Sequence, residues 1–437
     1  MRFPFWNSRS LVLWALALCG VFPWQSSFAG EFRLAPSSPT LDRWVYPFGD
    51  FLGDRPVSPT FASFDPRFDT RDAQTLLGWD TADLLPIQSG PRRYLIRKAR
   101  LAVTVAANNA FVYDPTFDTY LTYATNHPAY TPDADPGRPV ELYGAGFRNG
   151  FTAESFQEKS SFGKLNPITS DTISIGTRNA FAAMFGTNGT LVDIANNVGQ
   201  ANVQWTQPPF EVQPWAVGVT TNAQPGEMVP ADAVFTFEID LTNPWIVGYL
   251  QSALDTGRIR LFLSSLSPAS QVTPGGIGGG GAGAYPQWST RENLLYDPPR
   301  LEMEGTLVGA EDADADGLPD DWENFYFGSL KVQPGDDTDG DGANTMDEYL
   351  AGTDPASASS VLRLSVVSTD SDGNTVFLFG IAPSRAYRIE ISYDLNQWGP
   401  AQGTLSYSQA GSAMFVEQKS ALRPAPPRQA FYRIVVE

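Results

Sequence analysis

Val234-Phe235-Thr236-Phe237-Glu238-Ile239-Asp240-Leu241 alternates apolar and polar residues from Phe235 onward. A period of two puts Phe235, Phe237, Ile239 and Leu241 on one face of an extended chain and Thr236, Glu238 and Asp240 on the other. That is a half-buried strand. The next stretch changes period. Asn243-Pro244 opens, and Gly257 closes, a run from Trp245 to Thr256 with the start and stop signals of a helix. Beyond it, Ile259 to Leu263 is again strand-like, as are Tyr94 to Val105 and Leu301 to Val308. Further on, Tyr387, Ile389, Ile391 and Tyr393 alternate with Arg388, Glu390 and Ser392, and Thr375 to Phe379 and Phe431 to Val436 add two more runs. Aromatic content of 13%, with 39 Gly and 35 Pro, favours short strands and many turns over long helices.

The expectation is a mainly β protein: a large β-sandwich over residues 30–310, a short segment at 311–355, and a small C-terminal β-sandwich over 360–437. Within the first unit, 106–230 reads as long loops rich in Asn, Gly, Pro and Thr. Insertions of that length in a compact domain often carry function. Residues 275–283 hold seven glycines in nine positions without a following Lys-Ser/Thr, so they read as a surface loop rather than a phosphate cradle.

The segment at 311–355 carries the clearest chemistry. Asp312-Ala313-Asp314-Ala315-Asp316-Gly317-Leu318-Pro319-Asp320-Asp321-Trp322-Glu323 and Asp337-Thr338-Asp339-Gly340-Asp341-Gly342-Ala343-Asn344-Thr345-Met346-Asp347-Glu348 both fit the EF-hand-like calcium-loop pattern D-x-D-x-D-G-x5-E. Calcium takes about 6–8 oxygen ligands, and a 12-residue loop can wrap them around one ion. The expected ligands of the first ion are Asp312, Asp314, Asp316, the Leu318 carbonyl, Asp320 and Glu323. Those of the second are Asp337, Asp339, Asp341, the Ala343 carbonyl, Thr345 and Glu348. The competing reading is an acidic, solvated linker; two full matches, each followed by an apolar, aromatic segment, weigh against it. The loops start 25 residues apart and a strand pattern precedes the first. Together these point to two calcium ions in a compact structural cassette, not to a pair of helix-loop-helix sensors.

Charge is concentrated in the same segment. Residues 311–355 hold 14 of the 48 acids against one base, Lys331, and so carry −13 of the net −19. The rest of the chain is mildly acidic and has no basic patch, which argues against nucleic acid as a partner.

At the N-terminus, Arg2 and Arg9 precede the apolar run Leu11 to Leu18, and Ser27-Phe28-Ala29 fits a cleavage site. Residues 1–29 therefore read as a signal peptide, and the chain as exported to the extracellular space, the cell surface or the periplasm. The run is shorter than the roughly 20 residues a membrane-spanning helix needs. Cys19, the only cysteine, lies inside the signal. Lipidation there is the alternative to simple cleavage, and Leu18 fits that poorly. After cleavage no thiol remains, which excludes disulfides, thiol catalysis and Cys-ligated metals.

Asp312 to Pro355, ending in Tyr349-Leu350-Ala351-Gly352-Thr353-Asp354-Pro355, resembles the thrombospondin type 3-like and dockerin-like calcium repeats of secreted bacterial proteins. Glu323 and Glu348 depart from the Asp with which dockerin loops usually end. The large unit resembles DNRLRE-like jelly-roll domains, relatives of carbohydrate-binding modules. The similarity rests on Leu76-Leu77-Gly78-Trp79-Asp80-Thr81, Ile96 to Val105, Gly257 to Leu263, Trp288 to Asn293 and Pro299-Arg300-Leu301. These resemblances imply a calcium-binding, non-catalytic adhesion protein that binds polysaccharide or extracellular matrix. The alternatives are a polysaccharide-active enzyme with its site in 106–230, and a purely structural surface protein.

Catalytic constellations are sparse. His127 is the only histidine and sits in a turn-like Asn126-His127-Pro128-Ala129, so a histidine-based triad or zinc site has little to build on. Asp114, Asp118, Glu141 and Glu154 are acids in 106–230 that paired-carboxylate chemistry could use, and nothing in the sequence raises one above another. Trp79 reads as core. Tyr285 and Trp288, beside the glycine run, are the better candidates for exposed rings that stack on sugars.

Overall fold

The computed structural model describes residues 30–36, 38–47, 54–63, 69–123, 127–163, 178–186, 189–198, 208–269, 285–369, 374–382, 385, 387–407, 412–418 and 430–436. The proposed signal peptide and the glycine run lie outside them. The chain is mainly β, and its named sheets are antiparallel throughout.

Residues 30–307 build two facing sheets. One has four strands in the order Gly30–Leu34, Arg300–Leu307, Tyr94–Thr104 and Val234–Glu238. The other has seven: Leu41–Val45, Gln74–Asp80, Arg258–Ser265, Val140–Phe147, Ala180–Phe185 and Leu191–Asp193 in spatial order, with Ala216–Val217 also paired to Val140–Phe147. Leu101, Val103, Phe235, Phe237, Leu301 and Met303 of the smaller sheet meet Leu77, Trp79, Leu142, Ile259, Leu261 and Leu263 of the larger in one apolar core. Each large side chain buried there contributes about 1.5–3 kcal/mol. The alternation at Val234–Glu238 is as the sequence predicts, with Phe235 and Phe237 fully buried and Glu238 exposed.

The helix after that strand, α1 (Pro244–Thr256), has the predicted limits. The Asn243 side chain accepts from the Trp245 amide, and Gly257 ends the helix in the left-handed conformation at φ 70°. Ile246, Leu250 and Leu254 insert into the main core. An N-cap of this kind stabilises by about 1 kcal/mol.

The reading of 106–230 as long loops is corrected. That region supplies four strands of the seven-stranded sheet. They escape a search for alternation because the sheet is covered on both faces. Behind it lies a second core of Leu41, Leu76, Tyr143, Phe156, Phe162, Ala182, Met184 and Phe262. A strand buried on both sides has no polar face to reveal it. Val140–Phe147 also carries two glycines where neighbours press close. A Cβ at Gly144 would stand 2.4 Å from Trp215, and one at Gly146 would stand 2.3 Å from Phe181.

The C-terminal unit has a four-stranded sheet (Ser365–Thr369, Thr375–Gly380, Ser412–Glu417, Gly403–Tyr407) and a three-stranded one (Gly399–Pro400, Tyr387–Ser392, Phe431–Val436). Phe377, Phe379, Tyr387, Ile389 and Phe415 form its core.

Candidate metal centre

The strand Arg300–Leu307 leads directly into the first acidic loop, and no helix enters it. At its exit the Gly309 amide donates to Asp321 Oδ2 at 2.8 Å. Each loop ends in a short helix that begins at its ninth position: α2 (Asp320–Phe327) and α3 (Thr345–Ala351). Both stop at a left-handed glycine, Gly328 and Gly352. Helices this short are marginal alone, since isolated ones need about 12–15 residues. Packing holds them. Trp322 of α2 sits edge-on to Tyr349 of α3 at 5.3 Å, and Leu318, Trp322 and Val308 are buried together beside Leu95 and Met346. The cassette thus rests on the end of the four-stranded sheet.

The two loops repeat one geometry. One carboxylate oxygen from each of Asp312, Asp314 and Asp316 lies within 4.8 Å of the others, and Asp337, Asp339 and Asp341 do the same. Backbone amides orient these side chains. Asp312 accepts from Asp316 and Gly317 (3.1 and 2.9 Å), and Asp337 from Gly340 and Gly342 (2.9 and 3.0 Å). Asp316 accepts from Leu318 and Asp341 from Ala343, both at 2.8 Å. Position 6 demands glycine in both loops: Gly317 has φ +94° and Gly342 +95°, a region that L side chains rarely enter. Position 4 is also left-handed, at Ala315 (φ 58°) and Gly340 (φ 80°).

The residues at position 9 serve as latches. Asp320 accepts from the Ala313 amide at 2.8 Å, and Thr345 donates to the Asp336 carbonyl at 2.9 Å. Both tie the start of the helix back to the start of its loop. Leu318, the position-7 residue of the first loop, is fully buried and anchors it to the cassette core; Ala343 holds that place in the second and is half-buried.

Glu323 and Glu348, at position 12, have no exposure. Neither oxygen of Glu323 has a hydrogen-bond partner, and Oε2 of Glu348 has none. Asp316, Asp339 and Asp341 each add one more buried oxygen without a partner. Burial, reinforced by Asp316 and Asp314, pushes the Glu323 carboxyl up to about 7; burial, reinforced by Asp339 and Asp341, does the same to Glu348. A carboxylate out of water and without a donor is costly unless a cation joins it. These oxygens, hard, anionic and unsatisfied by the chain, are what a calcium ion requires of its ligands. The donor set fits the group.

The other candidates fall elsewhere. Glu141 is buried and ion-paired to the equally buried Arg71, whose Nε donates to Asn197 Oδ1 at 2.8 Å. Glu154 is exposed. His127 accepts from the Ala129 amide through Nδ1 at 3.1 Å, within its own turn, and lies edge-on to Tyr120. Trp79 is core, as the sequence suggests. Trp288 is not a surface ring: it is fully buried against Phe111 and Phe235, and its Nε1 donates to Thr60 Oγ1 at 3.2 Å. Tyr285 packs against Phe61.

Asp114 and Asp118 do meet, in a group with Asp133, Asp135 and Arg138. Sequence reasoning does not single out the last three. Their only signal is local density of acids, Asp133 and Asp135 two apart, and no spacing rule connects them to residues some 20 positions upstream. Comparison with protein-family models, with curated proteins and with solved structures found no match for this chain.

Proposed function

We propose that residues 311–355 are a two-site calcium cassette that fixes the joint between the large sandwich and the C-terminal sandwich of an exported, non-catalytic binding protein. The observation that carries this reading is Glu323: wholly buried, with neither carboxylate oxygen receiving a donor, and within electrostatic reach of the loop aspartates. The first ion would be held by Asp312, Asp314, Asp316, Asp320 and Glu323 with the Leu318 carbonyl, and the second by Asp337, Asp339, Asp341, Thr345 and Glu348 with the Ala343 carbonyl.

The joint has contacts on both sides. Toward the large sandwich, the Arg97 guanidinium lies 4.9 Å over the Phe325 ring. Toward the C-terminal sandwich, Arg385 donates to the carbonyls of Leu350 and Tyr349 (2.9 and 3.1 Å) at the end of α3, and Arg363 to the Asp341 carbonyl at 3.1 Å. A cation near the last turn of a helix is favourable in itself. A ligand bound only by the folded chain stabilises it by RT ln(1+[L]/Kd), about 2.7 kcal/mol at one hundred times Kd.

The partner proposed for the whole protein is polysaccharide or extracellular matrix. Its support is the mainly β architecture together with the sequence resemblance to carbohydrate-binding jelly rolls. Its test is a glycan array probed with the chain in calcium and again in chelator; no glycan retained under either condition would refute it. The cassette is tested by calorimetric calcium titration. Absence of binding in the wild-type chain, or binding untouched by Glu323→Gln and Glu348→Gln together, would refute it.

A further inference from the structure

Asp114, Asp118, Asp133 and Asp135 lie in the large sandwich, outside the cassette and unrelated to it in sequence. One carboxylate oxygen of each lies within 4.8 Å of the other three. Two ligands of one calcium ion, each bonded at about 2.3–2.6 Å, can stand no further apart than about 5.2 Å. All four oxygens satisfy that limit at once.

Like charges do not gather so closely without a reason, and the chain supplies only part of one. Arg138 Nη1 donates to Asp118 Oδ2 (2.7 Å), to Asp133 Oδ2 (2.8 Å) and to Thr122 Oγ1 (3.0 Å), with its guanidinium 3.8 Å over the Tyr123 ring. Thr116 donates its amide (2.8 Å) and its hydroxyl (2.7 Å) to Asp114 Oδ1, and the same hydroxyl lies 3.0 Å from Asp135 Oδ2. One guanidinium against four carboxylates leaves a surplus of three negative charges. The second oxygen of Asp114 shows where the shortfall lies. Asp114 is 2% exposed, and its Oδ2 is buried with no hydrogen-bond partner. Stranding a carboxylate oxygen in this way costs its full desolvation.

The backbone is shaped to bring these groups together. Gly137, at φ +113°, lets the 133–138 turn close onto Asp114; a Cβ there would stand 2.9 Å from Asp114 Cβ. A divalent ion would neutralise two of the three surplus charges.

We propose that Asp114, Asp118, Asp133 and Asp135 form a third calcium site, which pins the 114–118 segment to the 133–138 turn on the large sandwich. The ion would take one oxygen from each of the four carboxylates, while the hydrogen bonds of Arg138 and Thr116 hold the group in place. Calcium suits it better than magnesium, which keeps several waters and is seldom caged by protein carboxylates alone.

The test is a calcium titration of the full chain with both cassette loops disabled by Asp314→Asn and Asp339→Asn. One equivalent of calcium should still bind. Adding Asp135→Asn, an exposed position at the rim, should weaken that residual affinity at least tenfold, and adding Asp114→Asn should abolish it. Terbium in place of calcium should give luminescence sensitised by nearby tyrosines, Tyr123 among them, lost in the same variants. No residual calcium binding in the cassette-disabled chain would overturn the proposal. So would residual binding that Asp135→Asn and Asp114→Asn leave unchanged. Because the cassette variants isolate this site, its failure and that of the cassette read out separately: the unmodified chain would then bind two equivalents, or one.

Discussion

Glu141 in the large sandwich and Glu323 in the cassette are equally hidden from water, and their surroundings treat them in opposite ways. Glu141 meets Arg71, with Tyr143 donating to its Oε2 at 3.1 Å. Glu323 meets aspartates and no donor. Glu390 of the C-terminal unit repeats the first pattern, held by Arg388 and Arg433, whose hydrogen bonds keep its carboxyl below the usual range. Glu141 and Glu390 thus each have an arginine against them. The 45 residues 311–355 contain no arginine and a single base, Lys331, whose side chain is exposed. The difference separates an acid paired within the fold from one that the chain leaves without a donor.

The largest effect that could break this comparison is on the sandwich side. Glu141→Ala strands the Arg71 charge and should cost about 3–5 kcal/mol, equally with and without calcium. Denaturant melts in both buffers measure it, and a calcium-dependent loss would contradict the distinction. Next comes chelation. Removing calcium should lower the stability of the cassette and the adjoining sandwich by about 2.7 kcal/mol for each site previously held at one hundred times its Kd. Calorimetry should show a transition that moves with calcium concentration; identical traces in calcium and in chelator would end the cassette reading.

Glu323→Gln sharpens the contrast, because its sign should reverse. In calcium the variant should bind at least tenfold more weakly, about 1.4 kcal/mol. In chelator it should melt higher than the wild type, since an unpaired buried charge has been removed. Proton linkage gives the same signature without mutation. The folded-state carboxyls of Glu323 and Glu348 stand at about 7, above their unfolded values. The folded chain therefore binds more protons, and calcium-free stability should fall as pH rises from about 5 to above 7. Melting temperatures across that range in chelator check it, and a rising trend would count against it.

Much of this is legible in the sequence, and the remainder is hidden for physical reasons. The loop pattern can be read because a calcium loop confines its oxygen-bearing positions to a dozen consecutive residues. Helix α1 can be read because its start and stop are local. The strands Val140–Phe147 and Ala180–Phe185 cannot: they are buried on both faces and built from Gly and Ala as much as from branched residues, so no alternation marks them. Trp288 misleads because neighbouring glycines suggest a surface, whereas its ring fills the space beside Phe111 and Phe235. The four-aspartate group depends on two turns meeting in space.

The smallest test compares the loops with each other. Position 4 is left-handed in both, filled by Gly340 in one and by Ala315 in the other. Ala315→Gly should stabilise the first loop by about 0.5–1 kcal/mol, by relieving a conformation that costs an L residue about 1–2 kcal/mol, less the added freedom of the unfolded chain. A melt in saturating calcium reads the gain; the equivalent change is already present in the second loop and offers none.

Arg385 grips the last carbonyls of α3, and α3 carries Glu348. The C-terminal sandwich is thereby tied to the helix that carries Glu348. With ions in place, residues 312–355 would act as a strut of fixed length. Stripped of them, two helices of seven and eight residues would rest on the packing around Trp322 alone. The same 44-residue stretch would then be a tether, with a mean span of about 33–40 Å if fully slack. Calcium concentration would set not only how stable the molecule is but how far apart its two ends can reach.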